Sequence, residues 1–133
     1  LGIYNAEYVT LADNTFSRVQ GAIVKLYRGG TDESTFGPHF SMTNNTLDGT
    51  GKGKRNKQAA SIYLHGVQVT DISNNSFSDS APIVLEHTVG EPNSSITNNV
   101  FKATSAPVIK ELRVNGPHTA IVENNTIETG DKR

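Results

Sequence analysis

The chain has 133 residues, with 12 lysines and arginines against 13 aspartates and glutamates, and its formal net charge is −1. This balance excludes a polycation built for nucleic acid, and no apolar run approaches the roughly 20 residues that a membrane-spanning helix needs. Cysteine is absent, so disulfides are excluded. The length supports one domain over residues 1–133. Because the sequence opens at Leu1 inside a strand-like segment, we expect this domain to be a piece of a longer protein.

A short motif occurs five times along the chain. Each copy has a run rich in β-branched residues, then an Asn-Asn or Asp-Asn pair, then a large apolar residue two positions on, as in V-T-D-I-S-N-N-S-F at Val69–Phe77. The last asparagine of each pair recurs at steps of 31, 30, 24 and 26 residues, at Asn14, Asn45, Asn75, Asn99 and Asn125. Repetition at this period predicts a repeat architecture.

This repeat predicts an all-β fold, a right-handed, single-stranded parallel β-helix with about five rungs. The apolar run suits a strand, and asparagine tolerates the left-handed backbone of a tight bend. Rungs would stack about 4.8 Å apart, so the asparagine side chains would form a hydrogen-bonded ladder along the helix axis. Three of the four glycosylation sequons coincide with this ladder, and we interpret them as structural residues that face the stack: Asn44, Asn74 and Asn124.

A second strand follows each asparagine bend and begins at Ala22, Ala60, Ala81 and Ala106. Period two places Val or Ile and then Leu on the core face, with Lys110 breaking the Leu column in the last run. The opposite face then carries two columns, one with Lys25, Tyr63, Val84 and Ile109, and one with Tyr27, His65, Glu86 and Glu111. A polar column on a flat parallel sheet is a surface on which an extended polymer could bind; the alternative is a solvated face.

Two insertions lengthen the first two repeats, residues 28–39 and 49–57. The second insertion carries four cations on a flexible glycine background with no acid after Asp48: Lys52, Lys54, Arg55 and Lys57. This excess of positive charge predicts a local anion site, and the alternative is a solvated, mobile loop. The loop lacks the spacing and the strand–helix context of a phosphate-binding loop, so nucleotide binding is excluded.

The first insertion holds Asp32, Glu33 and His39. A metal site needs several converging ligands, and two adjacent acids on a loop more often form turns, so we predict no metal and no cofactor in this chain. His65, between Tyr27 and Glu86 in the predicted column, could titrate near neutral pH and act as an acid, a base or a cation.

Four sequence blocks, in order, resemble the C-terminal part of the two-domain alginate lyases of polysaccharide lyase family 6: Tyr27–His39, Gly51–Asn56, Leu64–Gln68 and Glu86–Pro92. The resemblance implies a secreted or periplasmic bacterial enzyme with two parallel β-helix domains. Members cleave alginate by β-elimination, in which a cation, often calcium, neutralises the uronate carboxylate, a lysine takes the C5 proton and an arginine assists the leaving oxygen. Those groups belong to the N-terminal β-helix, which is similar to chondroitinase B. No residue of this chain matches them.

Three hypotheses follow. The chain is an accessory domain that acts beside a catalytic N-terminal β-helix of the same protein, or a stand-alone carbohydrate-binding module, or a structural β-helix that holds a homodimer together. A self-contained lyase site, using Lys25, Arg28 and His65 with Tyr27 or Tyr63 as acid, is a weaker alternative because elimination needs all its groups within a few ångströms of one sugar. Under the first two hypotheses, the candidate residues for binding alginate or a related uronate polymer are Lys25, Tyr27, Arg28, Lys52, Lys54, Arg55, Tyr63, His65, Glu86 and His87.

Overall fold

The computed structural model describes residues 2–4, 8–27, 39–57, 59–86, 93–104, 108–112 and 119–128. Every regular element in these ranges is a β-strand, and there are fifteen of them. Within the described residues there is consequently no helix with the length and apolar character that crossing a membrane requires.

The strands form three five-stranded sheets, and all pairs within them are parallel. Sheet A contains β1 (Gly2–Tyr4), β4 (Val24–Tyr27), β7 (Ile62–His65), β10 (Ile83–Glu86) and β13 (Ile109–Leu112). Sheet B contains β2 (Tyr8–Ala12), β5 (His39–Thr43), β8 (Val69–Ser73), β11 (Asn93–Thr97) and β14 (Thr119–Glu123). Sheet C contains β3 (Thr15–Ser17), β6 (Thr46–Asp48), β9 (Ser76–Ser78), β12 (Val100–Lys102) and β15 (Thr126–Glu128).

The chain visits the three sheets in the constant order A, B, C, and each strand pairs with the strand three elements earlier. Such a coil has no hairpins, and each turn buries its apolar residues against the turns above and below it. The prediction of an all-β parallel β-helix is confirmed. The hand of the coil and the number of its rungs stay predictions.

The two residues of each asparagine pair have different roles. The first has a left-handed backbone, with φ between 57° and 60°, and turns the chain from sheet B to sheet C at Asp13, Asn44, Asn74, Asn98 and Asn124. The second points into the stack. Its backbone N–H and its side-chain Nδ2 both donate to Oδ1 of the next copy, at 2.9 Å and 3.0–3.1 Å, from Asn14 through to Asn125. The predicted ladder is confirmed.

The interpretation of the sequons is wrong. In each of the three, the asparagine that a glycan would modify is the first of the pair, and Asn44, Asn74 and Asn124 are exposed at the bend. Only the second asparagine faces the stack. The first asparagine occupies the left-handed position of the bend, so its side chain and that of its neighbour lie on opposite sides of the chain.

A second bend, between sheet C and sheet A, was not found from the sequence. Its residues also have positive φ, at Arg18, Gly49, Asp79 and Ala103. In the last three of these turns the next residue is a buried hydroxyl side chain, Thr50, Ser80 and Thr104, and the backbone N–H of Thr50 donates to Ser80 Oγ at 3.1 Å. The sequence does contain a signal for this second bend, a Ser or Thr five residues after the ladder asparagine in three of the copies.

The core lies inside the coil and consists of apolar columns that run along its axis. One column on sheet B contains Leu11, Met42, Ile72, Ile96 and Val122, and one on sheet C contains Phe16, Leu47, Phe77, Phe101 and Ile127. The rings of Phe77 and Phe101 are stacked with centroids 4.7 Å apart. The inward position predicted for the apolar residue after the asparagine bend is confirmed at Leu47, Phe77 and Phe101, which are fully buried, while Phe16 is partly buried and Ile127 is half exposed.

The predicted register of the last strand of sheet A is wrong by one residue. Ile83 pairs with Ile109, Val84 with Lys110 and Leu85 with Glu111, so Lys110 lies on the outer face and Glu111 takes the position that follows Leu85 in the Leu column. A one-residue shift moves every side chain to the other face, and here it brings Ile109 into the core column of Ile83. Glu86 then pairs with Leu112 rather than Glu111, and Val108 is buried just before the strand.

Candidate functional site

Sheet A brings together the first group of predicted site residues. On its outer face Lys25 pairs with Tyr63, and Tyr63 pairs with Val84. In the next column Tyr27 pairs with His65 and His65 with Glu86. Because paired residues of parallel strands point to the same side, these residues form one surface, which we call the outer face of sheet A.

The outer face of sheet A is closed over its centre. Tyr63 is 4% exposed, Glu86 3% and Val84 0%, and Tyr63 and Val84 form a small apolar cluster with Ala60. Lys25 and His65 are half-buried, and Lys110 is exposed. The alternative of a solvated face is therefore wrong at Tyr63, Val84 and Glu86, and polymer binding on this face stays a prediction. The alternation of side chains along a strand predicts on which face of the sheet each one lies. It does not predict which residues cover that face.

The buried centre holds a hydrogen bond between two of the predicted site residues. The Tyr63 hydroxyl donates to Glu86 Oε1 at 2.5 Å, across two neighbouring strands. The His65 ring lies beside it, with its centroid 6.1 Å from that of Tyr63 and the two planes inclined by 58°. A hydrogen bond to a carboxylate is strong, and its burial strengthens it further. The pair is buried at the centre of the outer face, and the half-buried His65 lies beside it.

Some predicted site residues lie beyond what the structure describes. Arg28 and His87 fall outside the described residues, and so do Asp32 and Glu33 of the first insertion. The backbone of Tyr27 is part of β4, while its side chain is outside the described part. His39 lies on sheet B, with its ring 4.8 Å from that of Tyr8, so it is not part of the sheet A group. Among the described residues there is no group of three or more His, Asp or Glu side chains that could hold a metal ion.

The second group of predicted residues lies on the loop of residues 51–57, which we call the basic loop. Its base is fixed by backbone hydrogen bonds, from Gly51 N–H to Val19 O and from Gly53 N–H to Gln20 O, both 2.8 Å. Asn56 closes the loop, because its side-chain Nδ2 donates at 2.8 Å to the carbonyl oxygens of both Gly51 and Ala60. This role of Asn56 was not predicted from the sequence.

The two glycines of the basic loop allow close packing, a role that the prediction of a flexible glycine background did not include. Gly51 has φ of 75°, and a Cβ there would lie 2.6 Å from the carbonyl oxygen of Ala60. A Cβ on Gly53 would lie 2.9 Å from Gln20. Only glycine fits at such approaches. The base of the loop is therefore packed closely against the neighbouring chain.

The charges of the basic loop divide into one paired cation and three others. Lys52 Nζ forms an ion pair with Asp79, which the next turn of the coil brings alongside, and both side chains are more than half exposed. Lys54, Arg55 and Lys57 are exposed at the end of the loop, and in the described part of the chain no acid pairs with them. We call these three the basic tip. The predicted excess of positive charge is thus present at three positions and is neutralised at the fourth.

The solved structures that resemble this chain include two of a PL6 family alginate lyase. One is the PL6 family alginate lyase AlyGC, with 52% identity and a TM-score of 0.82. The other is a mutant of the same lyase, with 52% identity and a TM-score of 0.81. Over 91% of its length, this chain is similar to part of a PL6 alginate lyase. The resemblance predicted from the four sequence blocks is confirmed.

The chain spans only 17% of the lyase to which it is similar. The position of the matching segment in the C-terminal part of the PL6 enzyme stays a prediction. No protein-family profile and no curated protein sequence matches the chain.

Proposed function

We propose that this chain is an accessory β-helix domain of an alginate lyase, an enzyme that cleaves a uronate polysaccharide by β-elimination. It helps to form the substrate groove or a domain or subunit interface, and the catalytic residues lie in a separate β-helix domain of the same protein. The observation that carries the proposal is the 52% identity over 91% of the chain to a lyase of which this segment is only 17%.

The chemistry of the described residues supports an accessory role. β-Elimination next to a carboxylate needs a charge neutraliser, a base and an acid around one sugar ring. Here the Tyr63 phenol is buried and bonded to Glu86, so it is poorly placed to protonate a leaving oxygen. Lys25 and His65 lie on the outer face of sheet A, whereas the three cations of the basic tip lie on the loop of residues 51–57.

The cellular location and the metal are inferred from the proposed parent enzyme. We place the parent enzyme outside the bacterial cytoplasm, secreted or periplasmic, where it meets its polymer. Calcium would supply positive charge against the uronate carboxylate in such an enzyme. We assign any calcium to the catalytic domain, because in the lyases that the sequence resembles the charge-neutralising group belongs to that domain.

The second candidate function is a stand-alone carbohydrate-binding module, and the exposed basic tip is the observation that favours it. The length of the gene separates the two. A reading frame that also encodes a second, catalytic β-helix supports the accessory domain, and one that encodes this β-helix alone supports the binding module.

Both candidates predict that the basic tip contacts the polyanion. Replacing Lys54, Arg55 and Lys57 together by serine should weaken binding of alginate oligosaccharides about tenfold at low ionic strength, which corresponds to about 1.4 kcal/mol. Exposed charges are screened beyond about 10 Å at 0.1 M salt, so the difference should shrink as salt is added. Isothermal titration calorimetry at two salt concentrations measures the affinities of the triple variant and the unmodified chain.

The matched control is Lys52→Ser on the same loop. Lys52 is already paired with Asp79, so its loss should change the affinity far less than the triple substitution does. Equal affinities of the triple variant and the unmodified chain, or an affinity that ignores salt, would remove the basic tip from the proposed binding surface.

A further inference from the structure

Asn56 joins the two sides of the basic loop. Its side-chain Nδ2 donates at 2.8 Å to the carbonyl oxygen of Gly51, where the loop begins, and at 2.8 Å to that of Ala60, just after the loop ends. Its backbone N–H donates to Gly53 O at 3.1 Å, and its own carbonyl oxygen accepts from Ala59 N–H at 3.0 Å. The two bonds that span the loop both come from the side chain, because one carboxamide nitrogen supplies two N–H donors.

Both carbonyl groups that the Asn56 side chain binds belong to the packed base of the loop. Ala60 is fully buried and clusters with Tyr63 and Val84 on the outer face of sheet A. Gly51 is also buried, and it approaches Ala60 so closely that a Cβ on Gly51 would lie 2.6 Å from the Ala60 carbonyl oxygen. Asn56 is therefore anchored to residues that the stack already holds in place.

The three cations of the basic tip are the neighbours of this anchor along the chain. Arg55 and Lys57 flank Asn56 directly, and Lys54 lies two residues before it. All three are exposed, and within the described ranges their side chains have no hydrogen bond or ion pair of their own. The hydrogen bonds of Asn56 are consequently the nearest contacts that hold the backbone from which these charges project.

We propose that Asn56 is a positioning residue for polyanion binding, whose side chain holds Lys54, Arg55 and Lys57 in one arrangement that an alginate chain meets already formed. This inference rests on the proposed contact between the basic tip and the polymer. A binding loop that is ordered in advance loses less conformational freedom when its ligand binds, so it binds more tightly than a mobile loop with the same charges. Without the Asn56 carboxamide the charges remain, but their arrangement has to form during binding.

The first measurement follows the loop without any polymer. Trypsin cleaves mobile backbone after lysine and arginine, and the basic loop contains four such positions. Asn56→Ala removes both donors that span the loop, so cleavage inside it, located by mass spectrometry, should become about tenfold faster. Asn75→Ala is the control, because it loses hydrogen bonds within the stack and none in the loop. Well below its melting temperature, that variant should not accelerate cleavage in the loop.

The second measurement is the affinity for alginate oligosaccharides at low ionic strength, by isothermal titration calorimetry. Asn56→Ala should bind about fivefold more weakly than the unmodified chain, a smaller loss than that of the triple serine variant because the charges remain. When Asn56→Ala is added to the triple serine variant, it should cause no further loss, since no charges are left to position. Asn75→Ala should bind like the unmodified chain, whereas a loss of affinity through general destabilisation would appear in that variant too.

These outcomes separate the inference from the proposed function. If the triple serine variant binds as tightly as the unmodified chain, the basic tip does not contact the polymer, and both proposals lose that contact. If the triple variant binds weakly while Asn56→Ala binds normally or is cleaved no faster, the role of Asn56 is overturned and the contact of the basic tip stands. Circular dichroism melts verify that each variant folds. If Asn56→Ala does not fold, Asn56→Ser, which keeps one donor, should show smaller changes in the same direction.

Discussion

Replacing Asn75 by alanine should lower the free energy of unfolding by about 3 kcal/mol. The Asn75 side chain is buried, donates to Met42 O, Ser73 O and Asn99 Oδ1 at 3.0 Å each, and accepts from the backbone and the side chain of Asn45. Each buried group that loses its partner costs about 1–3 kcal/mol, and alanine removes several partners at once. Urea denaturation followed by circular dichroism measures the loss.

The neighbouring residue provides the control for this prediction. Asn74 is exposed and has φ of 59°, so its role is to adopt a left-handed backbone, which glycine does at no steric cost. Asn74→Gly should therefore change the free energy of unfolding by less than about 1 kcal/mol. If Asn74→Gly and Asn75→Ala lowered the free energy of unfolding by similar amounts, the asparagine ladder would contribute no more to stability than the bend does.

Replacing Phe77 by alanine should cost about 4 kcal/mol in the free energy of unfolding. Phe77 is fully buried in the middle of its column and stacks on Phe101, so truncation removes apolar contact and leaves a cavity that the rigid turns cannot close. Ile127 belongs to the same column but is half exposed at its end. Ile127→Ala should therefore lower the free energy of unfolding by less than half as much in the same denaturation assay. Equal losses for the two variants would contradict the difference in burial between Phe77 and Ile127.

The architecture could be predicted from the sequence because its determinants are local and repeated. Each asparagine pair indicates both a left-handed bend and a position in the ladder. Because the pair occurs five times at a similar spacing, the sequence predicts that the strands stack in parallel. The second bend was missed because its left-handed residues differ in every turn: Arg18, Gly49, Asp79 and Ala103. No single residue type marks that position, and only the Ser or Thr that follows it recurs.

The candidate site could be predicted only in part, because it depends on contacts between turns. Lys52 is paired with Asp79, 27 residues away, which a charge count along the loop does not reveal. The glycines of the basic loop indicated flexibility in the sequence, but the close approach of Ala60 and Gln20 explains them. The burial of Tyr63 and Glu86 was likewise hidden, since alternation assigns a face without showing what lies over it.

The accessory role is tested most directly by assaying β-elimination with the isolated chain beside the full-length parent enzyme. Each elimination leaves a C4–C5 double bond whose ultraviolet absorbance follows the reaction continuously. Enzymes accelerate reactions by roughly 10⁶-fold or more through groups held in fixed geometry, and we expect the isolated chain to lack that set. With alginate as substrate, with or without calcium, the parent should give a steady rise in absorbance and the isolated chain none. A rise from the isolated chain that disappears in the His65→Ala variant would contradict the account and place a catalytic site on the outer face of sheet A.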